Sequence, residues 1–298
     1  MRPVLEGRLP GWLTVRWWDT PYTLVSLAPH AEIGWFDLHE KSPVLAAVQG
    51  ARALRWLNTA YAGVDWLPLA ELERRGIVLT GGSGLTSGQV AEWAMLGMLS
   101  VAKRYREVVR AQDRGEWLHP APAGTRDLAG SRALILGHGA IGRAVERILA
   151  GFEVETLAVT SAGPHDWRAR LGEFDWIVLA LPGTPRTRGI IGRAELGAMA
   201  SHAVLVNFAR ADCIDQPALV EALRAQSIGG AVLDLTDPEP LPPGHPLWAL
   251  DNAHITMHLS GIPTAASERR AAERFLRNCA RFRAGEPLEA QVDLSRGY

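Results

Sequence analysis

Three polar residues in the C-terminal half have the types and the placement to do chemistry together: Arg210, Glu239 and His258. Each follows an apolar run that reads as a β-strand. Ala203 to Phe208 leads to Arg210, Gly230 to Leu235 leads to Glu239, and Ile255-Thr256 leads to His258. Taken singly, each has an ordinary explanation: a solvated arginine, a loop glutamate between prolines, a structural histidine. Taken together they are a cation, a carboxylate and an imidazole at strand ends. An arginine fork can hold a carboxylate and polarise the carbonyl beside it. An imidazole can deliver the proton that a new alkoxide needs, and a glutamate beside the ring favours its protonated form. The set suits reduction of a 2-keto acid, with a cofactor supplying the hydride.

A site for such a cofactor is written upstream. The run Ala133-Leu134-Ile135-Leu136 meets Gly137-His138-Gly139-Ala140-Ile141-Gly142, and a helical pattern from Arg143 to Leu149 follows. In a strand–turn–helix, Gly137 makes the sharp turn, Gly139 lets a pyrophosphate approach the backbone, and Gly142 lets the helix pack on the strand. The N–H groups that open the helix then face the phosphates. Methyltransferases also use glycine-rich turns, but that reading gives Arg210, Glu239 and His258 nothing to do. The next strand runs from Val154 to Thr160. An NAD site usually has an acid at the end of this strand for the ribose 2′-OH; here Thr160 and Ser161 stand there instead. Two hydroxyls do not repel a 2′-phosphate, and Arg168 and Arg170 lie downstream. The expected cofactor is therefore NADP, with NAD as the alternative.

The rest of the chain must position these groups. Its 298 residues suit two domains. A net charge of −1, from 31 Lys+Arg against 32 Asp+Glu, gives no reason to expect nucleic acid or an anionic membrane as partner. Cys213 and Cys279 are too few for a disulfide framework or a metal cluster, so no metal is expected. Met1 to Gly7 lacks the apolar run of a secretory signal and no run is long enough to span a bilayer, so a cytoplasmic protein is expected. The 11 tryptophans are expected mostly in the core or at interfaces. Before residue 100, strands are expected at Leu13–Trp18, Ala31–Phe36, Leu54–Asn58 and Ile77–Thr80, with a helix from Ser42, capped by that serine with Pro43 in its first turn. Alternating strands and helices imply a parallel sheet, whose ligands sit beyond the strand C-termini. The loop around Tyr61-Ala62-Gly63 is therefore a candidate substrate contact, and Trp35, Trp56 and Trp66 are candidates to intrude on the substrate pocket. Gly81 to Gly88 reads as a flexible connector. One long helix is expected from Gln89 past Val109, and further strands at Trp176–Pro182 and 203–208. A final helix, Ser267 to Phe282, is expected to pack on the first domain. His254 reads as a surface or strand residue, not as part of the chemistry.

The chain resembles the D-isomer-specific 2-hydroxyacid dehydrogenases from about Leu54 to Gly261. The resemblance is carried by Ala62-Gly63-Val64-Asp65, Val90-Ala91-Glu92, the 137–142 turn, Leu181-Pro182-Gly183-Thr184-Pro185 with Thr187-Arg188-Gly189, and Val206-Asn207-Phe208-Ala209-Arg210. It continues through Leu233-Asp234-Leu235, Glu239-Pro240-Leu241-Pro242 and His245-Pro246-Leu247-Trp248. It implies an α/β protein of two Rossmann-like domains: a flavodoxin-like substrate domain (1–99 with 266–298) and a doubly wound dinucleotide-binding domain (100–265). It implies a cleft that closes on substrate, a homodimer through the cofactor domains, and Arg210, Glu239 and His258 as the catalytic set. Asp234 is then the residue that holds the nicotinamide amide. Leu181, Pro182, Thr187, Phe208 and Ala209 join residues 137–142, Thr160 and Ser161 as cofactor contacts. Tyr61, Ala62 and Gly63 join Arg210 and His258 as substrate contacts. The implied activity is D-specific interconversion of a small 2-keto acid and its 2-hydroxy acid, glyoxylate or hydroxypyruvate among them. The alternative is a non-catalytic nucleotide sensor or scaffold on the same fold. Two departures bear on the site: Ala211 stands where the family usually has Gly, and Met257 stands where it has Pro before the histidine.

Overall fold

The computed structural model describes residues 1–163 and 166–298. They form two compact units, Met1–Thr86 with Pro263–Tyr298, and Ser87–Ile262.

The second unit is built on six parallel strands, β4 (Arg132–Leu136), β5 (Glu155–Val159), β6 (Trp176–Leu179), β7 (Val204–Asn207), β8 (Gly230–Leu233) and β9 (Ala253–Ile255), in the order β5-β4-β6-β7-β8-β9. The central strands are apolar at nearly every position, Arg132 and Asn207 at strand ends excepted, because helices cover both faces of the sheet. Their side chains alternate between two cores. Leu134, Leu136, Ile177, Leu179, Leu205 and Leu233 enter one, and Ala133, Ile135, Trp176, Val178, Val204 and Val232 enter the other. All six strands run the same way, so their C-terminal loops share one edge. The order reverses at β4, which puts the glycine turn at the switch point where α/β sheets take ligands.

The first unit has a smaller parallel sheet, β1 (Ile33–Trp35), β2 (Trp56–Asn58) and β3 (Val78–Thr80), in sequential order. The residues after Gly285 return to it. Thr80 makes an antiparallel bridge with Gln291, and Val292 N–H donates to Leu79 O at 2.8 Å. The helix Ala265–Ala284 lies in this unit, with Phe275 and Cys279 packed beside Leu5 and Trp56.

Several expectations need correction. Leu13–Trp18 is not a strand: Leu13 and Trp17 spend their apolar surface on the cluster around Phe275. The helix expected from Ser42 starts at Lys41, after Glu40, with no side-chain cap. The long helix after Gln89 is two helices, Ser87–Ala102 and Tyr105–Asp113, separated by Arg104 in the left-handed region (φ 53°). Gly81–Leu85 is tied down, not loose: Arg274 Nη1 donates to Ser83 O at 2.8 Å and Arg270 Nη2 to Leu85 O at 2.6 Å. Trp56 does not face a pocket. It is fully buried and stacks on Phe275, and Trp35 packs on the same ring. Both cysteines are buried, and no helix is long and apolar enough to cross a membrane among the described residues.

Candidate active site

Apart from Arg168 and Arg170, the chemistry-bearing residues singled out in the second unit lie in the loops beyond the strand C-termini. Along the shared edge they run from Thr160-Ser161 after β5 and Gly137–Gly142 after β4, through Leu181-Pro182 after β6 and Phe208-Ala209-Arg210 after β7, to Asp234 and Glu239 after β8 and His258 after β9. Topology alone brings these scattered positions together.

The glycine turn has the shape its sequence asks for. Gly137 has φ +99°, and a Cβ there would lie 2.4 Å from Ala180 O; a Cβ on Gly142 would lie 2.0 Å from Gly137 O. Gly139 is different. Its Cβ direction is open, and it stands at the N-cap of the helix Ala140–Gly151. The first two glycines are required by the protein's own packing, whereas the space over Gly139 and the helix N–H groups beyond it can take a pyrophosphate. The residues present therefore fit a dinucleotide. His138 turns away to Glu146 on the helix, with Nε2 and Oε2 2.7 Å apart. Thr160 and Ser161 are exposed, and Thr187 Oγ1 donates to Pro182 O at 2.8 Å, fixing the loop after β6.

The two downstream arginines divide. Arg168 Nε is bound to Glu195 Oε1 at 2.7 Å. Arg170 is held by Glu173, which also binds Arg132 at the start of β4. That places Arg170 at the opposite end of the sheet from the strand C-termini, so the expectation that it reaches a 2′-phosphate is wrong.

Arg210 extends from a braced corner. Asn207 Nδ2 donates to Arg210 O at 2.9 Å and Asn207 Oδ1 accepts from Ala209 N–H at 3.0 Å. Arg210 Nη1 donates to Ala209 O at 2.8 Å. Ala211 is not among the positive-φ residues, so a side chain there is unstrained and the missing glycine costs nothing. His258 Nδ1 and Glu239 Oε1 are 2.5 Å apart. With Nδ1 directed at the carboxylate, Nε2 is the ring nitrogen left for other chemistry. Both side chains stay open, 48% and 42% exposed, so a ligand can reach the pair.

His258 itself sits on an unusual backbone. Met257 and His258 both have φ 55°, the left-handed region that costs an ordinary residue about 1 kcal/mol or more. Proline cannot adopt that φ, so this turn excludes the proline that the resemblance led one to expect at 257. Asp234 holds the turn. Its carbonyl accepts His258 N–H at 2.6 Å, its Oδ1 accepts Thr256 Oγ1–H at 2.6 Å, and its Oδ2 accepts from Ser260 Oγ. The buried carboxylate therefore grips the chain on both sides of His258, a role the sequence did not reveal. His254, on β9, is mostly buried; burial first, then Arg106, Arg104 and Arg110, push it down to about 4. Its strand position agrees with the reading of it as outside the chemistry.

In the first unit, Tyr61, Ala62 and Gly63 lie beyond the C-terminus of β2. Tyr61 N–H donates to Thr59 Oγ1 at 3.1 Å. Among the described residues, the N–H groups of Ala62 and Gly63 have no protein acceptor. Tyr61 OH donates to Leu38 O at 3.0 Å, and Trp66 Nε1–H donates to Gly63 O at 3.1 Å. No cluster of three or more metal-ligating side chains occurs among the described residues.

Comparison with known proteins agrees with this geometry. Residues 95–260 match the D-isomer specific 2-hydroxyacid dehydrogenase NAD binding domain. A glyoxylate reductase of Korarchaeum cryptofilum is 32% identical over 259 residues, covering 82% of this chain and 78% of that one. A glyoxylate reductase/hydroxypyruvate reductase of Mus musculus is 33% identical over 220 residues, covering 69% and 67%. The crystal structure of a D-isomer specific 2-hydroxyacid dehydrogenase from Xanthobacter autotrophicus, in complex with NADPH and MES, superposes with a TM-score of 0.72 at 31% identity, covering 89% of this chain and 85% of that one.

Proposed function

The chain belongs to the D-isomer specific 2-hydroxyacid dehydrogenase family, and from that premise we propose that it reduces a small 2-keto acid, glyoxylate or hydroxypyruvate among them, to the D-2-hydroxy acid with NADPH. The observation that carries the reading is the 2.5 Å His258–Glu239 pair on the sheet edge that also bears Arg210 and the glycine turn. The roles follow from the chemistry of each group. Arg210 orients the substrate and polarises its keto oxygen. His258 delivers a proton from Nε2 to that oxygen as charge develops on it. Glu239 fixes the ring through Nδ1 and stabilises it while charged. Ala62 and Gly63 offer N–H groups to the substrate carboxylate, with Tyr61 at its flank. Residues 137–142, 181–182 and 208–209, with Thr187, hold the dinucleotide, and Asp234 borders its nicotinamide end. When bound, the cofactor supplies the hydride.

The preference for NADPH rests on Thr160-Ser161, where no carboxylate opposes a 2′-phosphate, and is supported by the NADPH found in the Xanthobacter relative. Of the downstream arginines only Arg168 remains as a candidate contact. Nothing supports the scaffold alternative, and an intact Arg–Glu–His set speaks for turnover. By family resemblance, the working form is a cytoplasmic homodimer paired through the cofactor units.

The test is loss of reduced nicotinamide, with NADPH and NADH in parallel, over a panel of 2-keto acids. NADPH-preferring turnover is expected. Faster turnover with NADH overturns the cofactor assignment, and binding without turnover on any keto acid overturns the activity. Light scattering at micromolar protein tests the dimer, which a monomeric mass would exclude.

A further inference from the structure

The reading above leaves a half-buried acid in the first unit without a role. Asp37 follows β1, two residues beyond Trp35, and its carboxylate lies under the loop that leaves β2. Its Oδ1 accepts Thr59 Oγ1–H at 2.6 Å. Its Oδ2 accepts Ala60 N–H at 2.7 Å and Trp35 Nε1–H at 2.7 Å. Thr59 Oγ1 in turn accepts Tyr61 N–H. Three consecutive loop residues, 59 to 61, therefore hang from one carboxylate.

The opposite side of the loop is fixed as well. Thr59 N–H donates to Thr80 O at 3.0 Å, and Gly82 N–H donates to Tyr61 O at 2.8 Å. A Cβ on Gly82 would lie 1.9 Å from Ala60 O, so the β3 loop presses directly on the backbone that Asp37 pulls from below. The consequence is a sorting of peptide N–H groups. Those of Ala60 and Tyr61 are consumed inward, and those of Ala62 and Gly63, next in the chain, have no protein acceptor among the described residues.

We propose that Asp37 is the positioning residue of the substrate-carboxylate loop, and that it acts as a hydrogen-bond acceptor and not through its charge. This rests on the reading that the N–H groups of Ala62 and Gly63 bind the substrate carboxylate. An anion placed below an anion-binding loop would weaken binding if its charge were what mattered. Burial works the same way, pushing the Asp37 carboxyl up from its ordinary value. The geometry needs only an oxygen facing Ala60 N–H and Trp35 Nε1–H, and a polar atom facing Thr59 Oγ1. An asparagine supplies both. Its oxygen takes the Oδ2 position, and its amide donates to Thr59 Oγ1, which still accepts from Tyr61 N–H. A leucine of similar volume supplies neither and leaves buried donors unpaired.

The experiment compares Asp37→Asn and Asp37→Leu by steady-state kinetics and by amide hydrogen exchange on residues 59–63. Asp37→Leu is expected to raise KM for the keto acid about tenfold or more, with kcat within about threefold, because a loop that binds ground and transition states alike acts on KM. Its exchange at Ala60 and Tyr61 is expected to accelerate, while the dissociation constant for NADPH stays unchanged. Asp37→Asn is expected to keep KM within about twofold and to keep the exchange slow. Should Asp37→Leu fail to fold, Thr59→Val removes one link of the same chain and is expected to raise KM alone. An unchanged KM and exchange in Asp37→Leu, or in Thr59→Val where that variant stands in, overturns the positioning role. An Asp37→Asn as damaged as Asp37→Leu overturns the claim that charge is dispensable. If the wild-type protein turns over no 2-keto acid, the proposed activity fails, and the exchange pattern still decides whether Asp37 holds the loop.

Discussion

Two aspartates, one in each unit, hold a loop at the end of a parallel sheet, and they do it differently. Asp37 gathers a loop from the neighbouring strand, taking Thr59, Ala60 and Trp35 with its side chain alone. Asp234 also reaches a neighbouring strand's loop, but it uses its backbone carbonyl as well, and what it holds is a strained turn with φ 55° at Met257 and His258. The first loop leaves backbone N–H groups unclaimed. The second fixes a side chain, His258, against Glu239. A loop that only binds needs its main chain held still, whereas a loop that transfers a proton must fix one ring nitrogen to a fraction of an ångström, and strain is tolerated where several bonds oppose it.

The largest effect expected from breaking this contrast is at the ring itself. His258→Ala is expected to lower kcat about 10²–10⁴-fold, the range for loss of a general acid, with the circular dichroism spectrum intact. Near-full activity would remove His258 from the mechanism. Asp234→Leu comes next. It frees both sides of the turn and is expected to lower kcat at least about tenfold, with Ser260→Ala a milder version, because a displaced general acid loses transition-state contact. A kcat unchanged in both variants would mean that the turn holds itself. Asp37→Leu, by contrast, should move KM and spare kcat, so the two aspartates separate binding from chemistry.

Acid should also separate the two regions. His254 lies on β9, the strand that feeds the Asp234 turn, and its value is about 4 in the fold against 6.5 ordinarily. As pH falls, the unfolded chain takes up this proton first. The stability tied to a neutral His254 is therefore complete above about pH 6.5 and lost toward pH 4, amounting to at most about 3 kcal/mol. Asp37 has the opposite sign: its folded value is raised, so protonation at low pH relieves its burial. His254→Gln is expected to flatten the acid limb of a melting-temperature profile, and an unaltered limb would show that other groups set it. The smallest effect is at Met257. Met257→Gly accepts the left-handed backbone without a Cβ and is expected to change stability by about 1 kcal/mol or less, upward, in a denaturant titration. A marked loss would show that the Met side chain, not the backbone, matters there.

Much of this was legible in the chain. The central strands of the second unit are almost wholly apolar runs, and the sharp turn at Gly137 is written in glycine, so fold and cofactor edge could be read directly. The strand ends then named Arg210, Glu239 and His258. What could not be read depends on contacts distant in sequence. The apolar content of Leu13–Trp18 looks like a strand until the helix Ala265–Ala284 is there to absorb it. Arg170 looks close to Ser161 in sequence, but a turn of 3₁₀ helix carries it to the other end of the sheet. Asp37 has no local signature, and the hold that Asp234 takes on the turn around His258 has none either, because each acts on residues more than 20 positions away.

The left-handed backbone at Met257 also bears on how this sequence can change. A relative with proline before its histidine must carry a different local path, since proline is confined to negative φ. With φ 55° at both 257 and 258, and Asp234, Thr256 and Ser260 matched to it, proline is not a neutral neighbour in sequence space. Introducing it by a single substitution would force the turn around His258 to be rebuilt. Proline is therefore among the least accessible residues at that position, and a path to it passes through compensating changes at 234, 256 or 260 before it reaches 257.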